Sequence, residues 1–155
     1  MTEFRGEPTA AGKRFAIVVS RFNIVVTDRL LAGARACLNQ HGVDDDHIDV
    51  VSVPGAWELP AAAQLAARRG GYAAIVAIGC VVRGGTPHFD FVAAAATEGL
   101  GRVCLEEGVP IALGVLTTDD AEQALARAGG AHGNKGWDAA LAALELADLR
   151  ARMVS

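Results

Sequence analysis

The chain has 155 residues, the usual size of one domain, with 52% hydrophobic and 21% charged residues and a mean hydropathy of +0.29. This composition supplies enough apolar material for a packed core and excludes the disordered and fibrous classes. The net charge of −4 lacks the basic footprint that nucleic-acid binding requires. We therefore expect one globular domain over residues 1–155, with a polar N-terminal arm over residues 1–13 and no nucleic-acid partner.

The sequence also indicates where the protein works in the cell. Its longest apolar stretch, Tyr72 to Val82, is about half of the roughly 20 residues that a membrane helix requires, and residues 1–13 lack the apolar core of a secretion signal. We expect no membrane partner and a cytoplasmic location. The three cysteines, Cys37, Cys80 and Cys104, have no CxxC spacing and are predicted to be reduced thiols in the core.

The first half of the chain predicts two successive pairs of strand and helix. Residues Arg14–Ser20 form a continuous β-branched run, typical of a strand that is buried on both faces. A helix follows, for which Thr27 or Asp28 is the predicted N-cap. Residues Ile48–Val53 predict a second strand, and Leu59–Arg69 predict an alanine-rich second helix.

The second half continues the same alternation. Residues Ala73–Val82 give the strongest strand signal, and the next helix is predicted to have Thr86 as its N-cap and Pro87 at its first position. The remaining predicted elements are a helix over His88–Glu107, a strand over Ile111–Leu116, a short helix over Asp120–Ala128 and a last helix over Lys135–Arg150. This order predicts an α/β fold: a three-layer α/β/α arrangement with a four-stranded parallel, flavodoxin-like sheet.

Open parallel sheets bind ligands at the carboxyl ends of their strands, so the segments that follow the strands are the candidate site. The third of these completes the stretch Gly79 to Thr86, which comes within one residue of a P-loop, but Gly85 stands where the lysine would be, which disfavours a nucleotide triphosphatase. Two glycines before a helix N-terminus still favour a phosphate site at Gly85 and Thr86. The alternative is an ordinary glycine-rich turn.

Other side chains at the same edge suggest acid–base chemistry and a flat polar ligand. His88 follows the proposed phosphate loop, and an imidazole with a pKa of about 6.5 can carry a proton; alternatively it is a surface histidine near a helix cap. Phe22 and Trp57 offer stacking, and Asn23 and Glu58 offer hydrogen bonds, to a heterocycle. The alternatives are that the two aromatics cover the sheet edge and that Glu58 caps the next helix.

Metal and redox-cofactor sites are not indicated. The four histidines are scattered without a recognised ligand spacing, so we expect no metal. Residues 20–23 lack the phosphate loop of an FMN site, and the predicted edge lacks the clustered aspartates of a phosphoacceptor receiver domain. Arg127 and Lys135 flank a glycine-rich segment, where lone cations are usually solvated.

Five segments, taken in their order and spacing, resemble the lumazine synthase family. They are SRFN at 20–23, PGAWELP at 54–60, GCVVRGGTPHFDFV at 79–92, GVLTT at 114–118 and RAGGAHGNKGWDAALAALELA at 127–147. The resemblance implies the penultimate step of riboflavin biosynthesis, in which 5-amino-6-(D-ribitylamino)uracil condenses with 3,4-dihydroxy-2-butanone 4-phosphate and releases phosphate and water. It implies neither a cofactor nor a metal.

The resemblance also implies roles for individual residues. Phe22 matches the aromatic that stacks on the pyrimidine, His88 the proton donor and Arg127 the phosphate-binding arginine, while Gly85 and Thr86 match the phosphate loop. Gly85 replaces the Glu, Asp or Ala that is frequent in the family, a change that a loop of backbone donors tolerates. The other candidate substrate-binding residues are Asn23, Ala56, Trp57, Glu58, Cys80, Val81, Val82, Leu113 and Lys135.

Assembly is implied by the same resemblance. The family forms pentamers with shared active sites, so Leu113, which replaces a common Phe, and His132 are expected to face a neighbouring subunit. The arm over residues 1–13 is expected to add a strand to that neighbour. The short turn over residues 129–136 favours a 60-subunit shell over a free pentamer, and riboflavin synthase is an implied partner.

Two other mechanisms or functions remain as alternatives. A catalytically inactive, self-assembling shell protein would keep the fold without turnover. A covalent lysine mechanism is disfavoured, because the chain has only Lys13 and Lys135 and neither is on a predicted buried strand.

Overall fold

Four parallel strands form the central sheet of the computed structural model, which describes residues 1–154; Ser155, the last residue of the predicted domain, lies outside them. The strands are β1 Arg14–Ser20, β2 Ile48–Val53, β3 Tyr72–Val82 and β4 Ile111–Thr118, in the order β2-β1-β3-β4. The helices are α1 Ile24–Gln40, α2 Leu59–Arg69, α3 His88–Glu107, α4 Ala121–Ala126 and α5 Lys135–Val154. The predicted α/β fold with a four-stranded parallel sheet is confirmed.

Each face of the sheet buries its own apolar cluster. In β1 the side chains of Phe15, Ile17 and Val19 point to one face and pack with α1 and α5, whereas Ala16 and Val18 point to the other and pack with α2 and α3. Burial on both faces explains why β1 is a continuous apolar run rather than an alternating one. None of the helices in residues 1–154 has the length and apolarity needed to cross a membrane.

Helix α1 begins earlier than predicted, because its N-cap is Asn23 and not Thr27 or Asp28. Asn23 has a φ of 62°, a left-handed conformation that asparagine adopts more readily than most residues. Its carbonyl accepts hydrogen bonds from the amides of Val26 and Thr27. The first residue, Ile24, is exposed and therefore does not follow the apolar spacing from which the start was predicted.

Helix α3 has the predicted bounds His88–Glu107, but its N-cap lies one residue later than predicted. Pro87 occupies the cap position and His88 is the first helical residue, so the assignments of Thr86 as N-cap and Pro87 as first residue are wrong. Pro87 has a ψ of 2°, and its carbonyl accepts from the amide of Asp90 at 3.0 Å in a tight turn. The Thr86 hydroxyl lies 3.5 Å from the His88 amide, which leaves it at the limit of a hydrogen bond.

The elements near the C-terminus differ from the prediction in length. Strand β4 continues past Leu116 to Thr118, because its pairing with β3 extends that far. Helix α4 is shorter than the predicted Asp120–Ala128, because the chain leaves it to form a small antiparallel hairpin. The hairpin consists of β5 Ala128–Gly130 and β6 Gly133–Asn134 and is the predicted turn before α5.

The N-terminal arm over residues 1–13 contains no strand and lies along α5 of its own chain. The Glu7 amide donates a hydrogen bond to Asp148 Oδ2 at 2.7 Å. This bond, and secondly that from Arg152, holds the pKa of the Asp148 carboxyl below its usual value. The arm is thus fixed near its middle, and its pairing with a neighbouring subunit stays a prediction.

All three cysteines are free thiols, as predicted. Cys37 and Cys80 are buried, but Cys104 is only half-buried, so its predicted place in the core is wrong. Its neighbour Val103 on α3 points to the core, which turns the Cys104 side chain partly toward solvent.

Candidate active site

The loops that follow β1, β2 and β3 meet at the carboxyl edge of the sheet, on the face covered by α2 and α3. They enclose a cavity of about 150 Å³ and, next to it, an open groove of about 570 Å³. Phe22, Ala56, His88 and Val92 line both spaces, which are therefore continuous. A concave, largely apolar space in this position is where open parallel sheets bind small molecules.

Most of the candidate residues from the sequence lie around this one space. Those that line it are Phe22, Ala56, Trp57, Glu58, Cys80, Val81, Val82, Thr86 and His88. Gly85 lies in the same loop, between the lining residues Gly84 and Thr86. The three loops predicted from separate parts of the chain therefore form one site.

Exposed aromatic side chains form the wall of the groove. Phe22 and Trp57 are 71% and 65% exposed, so they do not serve to cover the sheet edge. Phe91, which is 70% exposed, completes the wall of the groove, and the sequence analysis did not identify it as a site residue. Its spacing of three residues from His88 places both side chains on one face of α3, and that spacing was the available signal.

Glu58 follows the tight turn that ends β2. One of its carboxylate oxygens accepts a hydrogen bond from the Gly55 amide at 2.8 Å, which caps the short 3₁₀ turn over Ala56–Glu58. The side chain makes no cap hydrogen bond to α2, so the interpretation that it caps the next helix is wrong. The residue is nevertheless only half-buried and lines the groove. Capping therefore fixes the carboxylate in place at the edge of the groove and does not remove it from the site.

Cys80 lines the cavity, and Asn23 contacts Cys80 without lining the cavity itself. The Asn23 side-chain amide donates to the Cys80 carbonyl at 2.9 Å, so it ties the start of α1 to the end of β3. Burial raises the pKa of the Cys80 thiol to about 11, which keeps it neutral near pH 7. A neutral thiol is a poor nucleophile, so Cys80 contributes shape and backbone groups to the site.

The loop over residues 83–87 presents free backbone donors. Within residues 1–154 the amides of Gly84 and Gly85 have no hydrogen-bond partner. A Cβ atom built on either glycine would meet nothing within 4 Å, so the loop is open to a ligand. The N-terminus of α3 follows directly and adds a partial positive charge. Free amides beside a helix N-terminus fit a phosphate group, and the exposed His88 lies next to them.

Three candidates lie elsewhere in the chain. Arg127 and Lys135 line a separate pocket with Leu116, whose side chain belongs to the cluster under α1 and α5, on the opposite face of the sheet. Leu113 is in the middle of the edge strand β4 and is 40% exposed. One chain therefore does not bring Arg127 and Lys135 to His88, because the sheet lies between the two pockets. Leu113 alternates with Ala112 and so points to the same face as the cavity, but it lines neither the cavity nor the groove.

Among residues 1–154, no group of three or more histidine, cysteine or acidic side chains is arranged to hold a metal ion.

Comparison with known proteins identifies the family of the chain. The family model described as 6,7-dimethyl-8-ribityllumazine synthase matches residues 12–151, which include every candidate site residue. The chain is also 50% identical over 149 residues to the 6,7-dimethyl-8-ribityllumazine synthase of Aquifex aeolicus (strain VF5), a match that covers 96% of this chain and 97% of the relative. On both grounds, the chain belongs to the 6,7-dimethyl-8-ribityllumazine synthase family.

Proposed function

We propose that the chain condenses 5-amino-6-(D-ribitylamino)uracil with 3,4-dihydroxy-2-butanone 4-phosphate in the cavity and groove at the carboxyl edge of its sheet, releasing phosphate and water. As a member of its family, it is a transferase of riboflavin biosynthesis. The observation that carries the proposal is the single space lined by exposed aromatics, free loop amides and a histidine. The direct test is to mix the purified chain with both substrates and follow the absorbance of the lumazine. An inactive shell protein would give none.

The groove is the proposed site of the pyrimidine. Phe22 stacks on the ring, an interaction that contributes roughly 0.5–1.5 kcal/mol beyond the burial of area. Ala56, Trp57 and the second carboxylate oxygen of Glu58 face the ribityl chain. The support for this placement is the exposure of the two aromatics and the fixed position of the carboxylate.

The cavity beneath the loop over residues 83–87 is the proposed site of the butanone phosphate. The free amides near Gly85 and the hydroxyl of Thr86 bind the phosphate group. In the reaction, the aromatic amine attacks the ketone and a first water leaves as the imine forms. The C–O bond to phosphate breaks after a neighbouring carbon loses a proton, and the enol that remains tautomerises to a ketone. The second amine attacks this carbonyl, and a second water leaves as the ring closes. Holding the two substrates together supplies most of the acceleration, since well-aligned reactions reach effective molarities of about 10⁵ M.

His88 is the proposed proton carrier of the elimination and ring-closure steps. Because the side chain is exposed, we expect His88→Ala to leave the fold intact and to lower kcat about 10-fold or more. Steady-state kinetics at neutral pH and a thermal melt measure the two effects. His47→Ala, at the other end of the sheet before β2, serves as the matched control and keeps full activity. Unchanged kinetics in His88→Ala would remove the residue from the mechanism.

We further propose that each site is completed by a neighbouring subunit in a pentamer. Arg127, Lys135 and Leu113 of one subunit then approach Phe22 and His88 of the next. The support is the position of Arg127 and Lys135 on the opposite face of the sheet from His88. Arg127 adds a positive charge to the phosphate site in this arrangement.

Twelve such pentamers are proposed to close into a 60-subunit shell, because the hairpin between α4 and α5 is short. Native mass spectrometry or light scattering measures the assembly directly. A mass near five chains of 16.0 kDa rejects the shell, and a monomer that is still active rejects the shared site.

The cytoplasm is the proposed location, and riboflavin synthase, which uses the lumazine, is the proposed partner. The free cysteines are consistent with a reducing compartment. Sedimentation of the two purified proteins, together and separately, tests the association. If they associate, riboflavin synthase sediments with the larger particle that this chain forms.

A further inference from the structure

We propose that Arg83 is a positioning residue, which holds the loop of Gly84, Gly85 and Thr86 over the cavity by joining it to Asp119 and Asp90. This inference rests on the proposed phosphate role of that loop. In this role Arg83 does not contact the substrate.

The guanidinium group of Arg83 makes contacts in three directions. Its Nε lies 3.0 Å from Oδ1 of Asp119, in the loop after β4, and its Nη1 lies 3.7 Å from Oδ1 of Asp90, in the first turn of α3. The guanidinium carbon lies 4.5 Å from the centre of the Phe89 ring, which lines the cavity. The Arg83 amide also donates to the Thr118 carbonyl at 2.8 Å. Arg83 therefore connects the loop to β4 and to α3 at once.

The loop itself has few other attachments. Gly84 and Gly85 lack side chains and have free amides, and glycine loses more backbone freedom on ordering than any other residue. Phosphate binding requires those amides to point at one place. The contacts of Arg83, immediately before the glycines, restrict the loop before the substrate arrives.

The charges around Arg83 make it possible to distinguish a positioning role from a purely electrostatic one. Two carboxylates surround one guanidinium, so the group carries a net charge of −1 beside a site for an anion. If charge alone mattered, removing the carboxylate of Asp119 would tighten phosphate binding. If Arg83 positions the loop, removing that carboxylate weakens phosphate binding, because Arg83 loses its shortest contact. The two interpretations predict opposite signs.

The test measures kcat, the KM of each substrate and the inhibition constant of inorganic phosphate for Arg83→Ala, Arg83→Lys and Asp119→Asn. We expect Arg83→Ala to raise the KM of the butanone phosphate and the inhibition constant about 5- to 10-fold, the scale of an exposed ion pair together with a cation–π contact. The KM of the pyrimidine and kcat change less than about twofold. Asp119→Asn acts in the same direction, and Arg83→Lys restores part of the loss because it keeps the charge without the planar stacking.

Arg102→Ala is the matched control, because Arg102 forms an exposed ion pair with Glu106 on α3, away from the loop. Three results would overturn the inference. The first is an unchanged KM for the butanone phosphate in Arg83→Ala, and the second is tighter phosphate binding in Asp119→Asn. The third is a loss of the same size in kcat and in the affinity for both substrates, together with a lower melting temperature. Thr86→Ala tests the phosphate loop separately. If Thr86→Ala weakens phosphate binding and Arg83→Ala does not, only the inference about Arg83 fails; if neither does, the proposed loop site fails as well.

Discussion

Replacing Arg127 by alanine should weaken the binding of butanone phosphate about 10- to 150-fold. A hydrogen bond from Nη1 to the Gln123 carbonyl at 3.1 Å fixes the orientation of the Arg127 guanidinium group. A charge-assisted hydrogen bond to phosphate contributes about 1.5–3 kcal/mol, which gives the expected range. Steady-state KM values and direct titration with inorganic phosphate measure the effect. Equal affinity in the parent and in Arg127→Ala would show that this arginine does not bind the phosphate.

Mixing two impaired variants tests whether Arg127 acts in the neighbouring subunit. Subunits with His88→Ala and subunits with Arg127→Ala are unfolded, mixed and refolded together. If each site takes His88 from one subunit and Arg127 from the next, some interfaces in the mixed rings receive both native residues. Activity then exceeds that of either variant alone. If both residues act within one chain, the mixture shows only the average of the two variants.

Replacing Gly136 by alanine should cause a large loss of stability. A Cβ atom at this position would lie 2.0 Å from the Leu30 carbonyl oxygen, where α5 passes α1. Because the obstacle is backbone, both helices must move apart, and overpacking of this kind costs about 1–3 kcal/mol or more. We expect the melting temperature to fall by about 2–4 °C for each kcal/mol.

Gly101→Ala is the matched control for this substitution. Gly101 is also in a long helix, but a Cβ atom there would meet nothing within 4 Å. Alanine at an open helical position raises stability by about 0.5–1 kcal/mol. If both variants lowered the melting temperature equally, the close approach of α1 and α5 would not be the cause.

The sequence was most informative where one physical effect dominated. Strand β1 has its predicted bounds because burial on both faces gives an unbroken apolar run. The start of α1 was missed because a left-handed Asn23 begins the helix with an exposed Ile24, which apolar spacing does not report. The N-cap of α3 is Pro87 and not the predicted Thr86, because the turn at Pro87 competes with the Thr86 side chain for the first amides of the helix.

The candidate site was predictable in part for a similar reason. Parallel strands bring their carboxyl ends to one edge, so residues as distant along the chain as Phe22 and His88 were expected to meet, and both line the same space. The position of Arg127 was not predictable from a list of motifs. It depends on the short helix α4 and the hairpin after it, which carry the chain to the other face of the sheet.

The two pockets lie on opposite faces of one sheet, so the number of complete active sites depends on whether the subunits form a closed ring. If each site is shared between neighbours as proposed, each subunit offers one half of a site to the neighbour on its left and the other half to the neighbour on its right. An open row of subunits leaves an unmatched half at each end, whereas a closed ring leaves none. In that arrangement, losing one subunit from a ring removes two sites, so the activity per subunit is highest when the ring is closed.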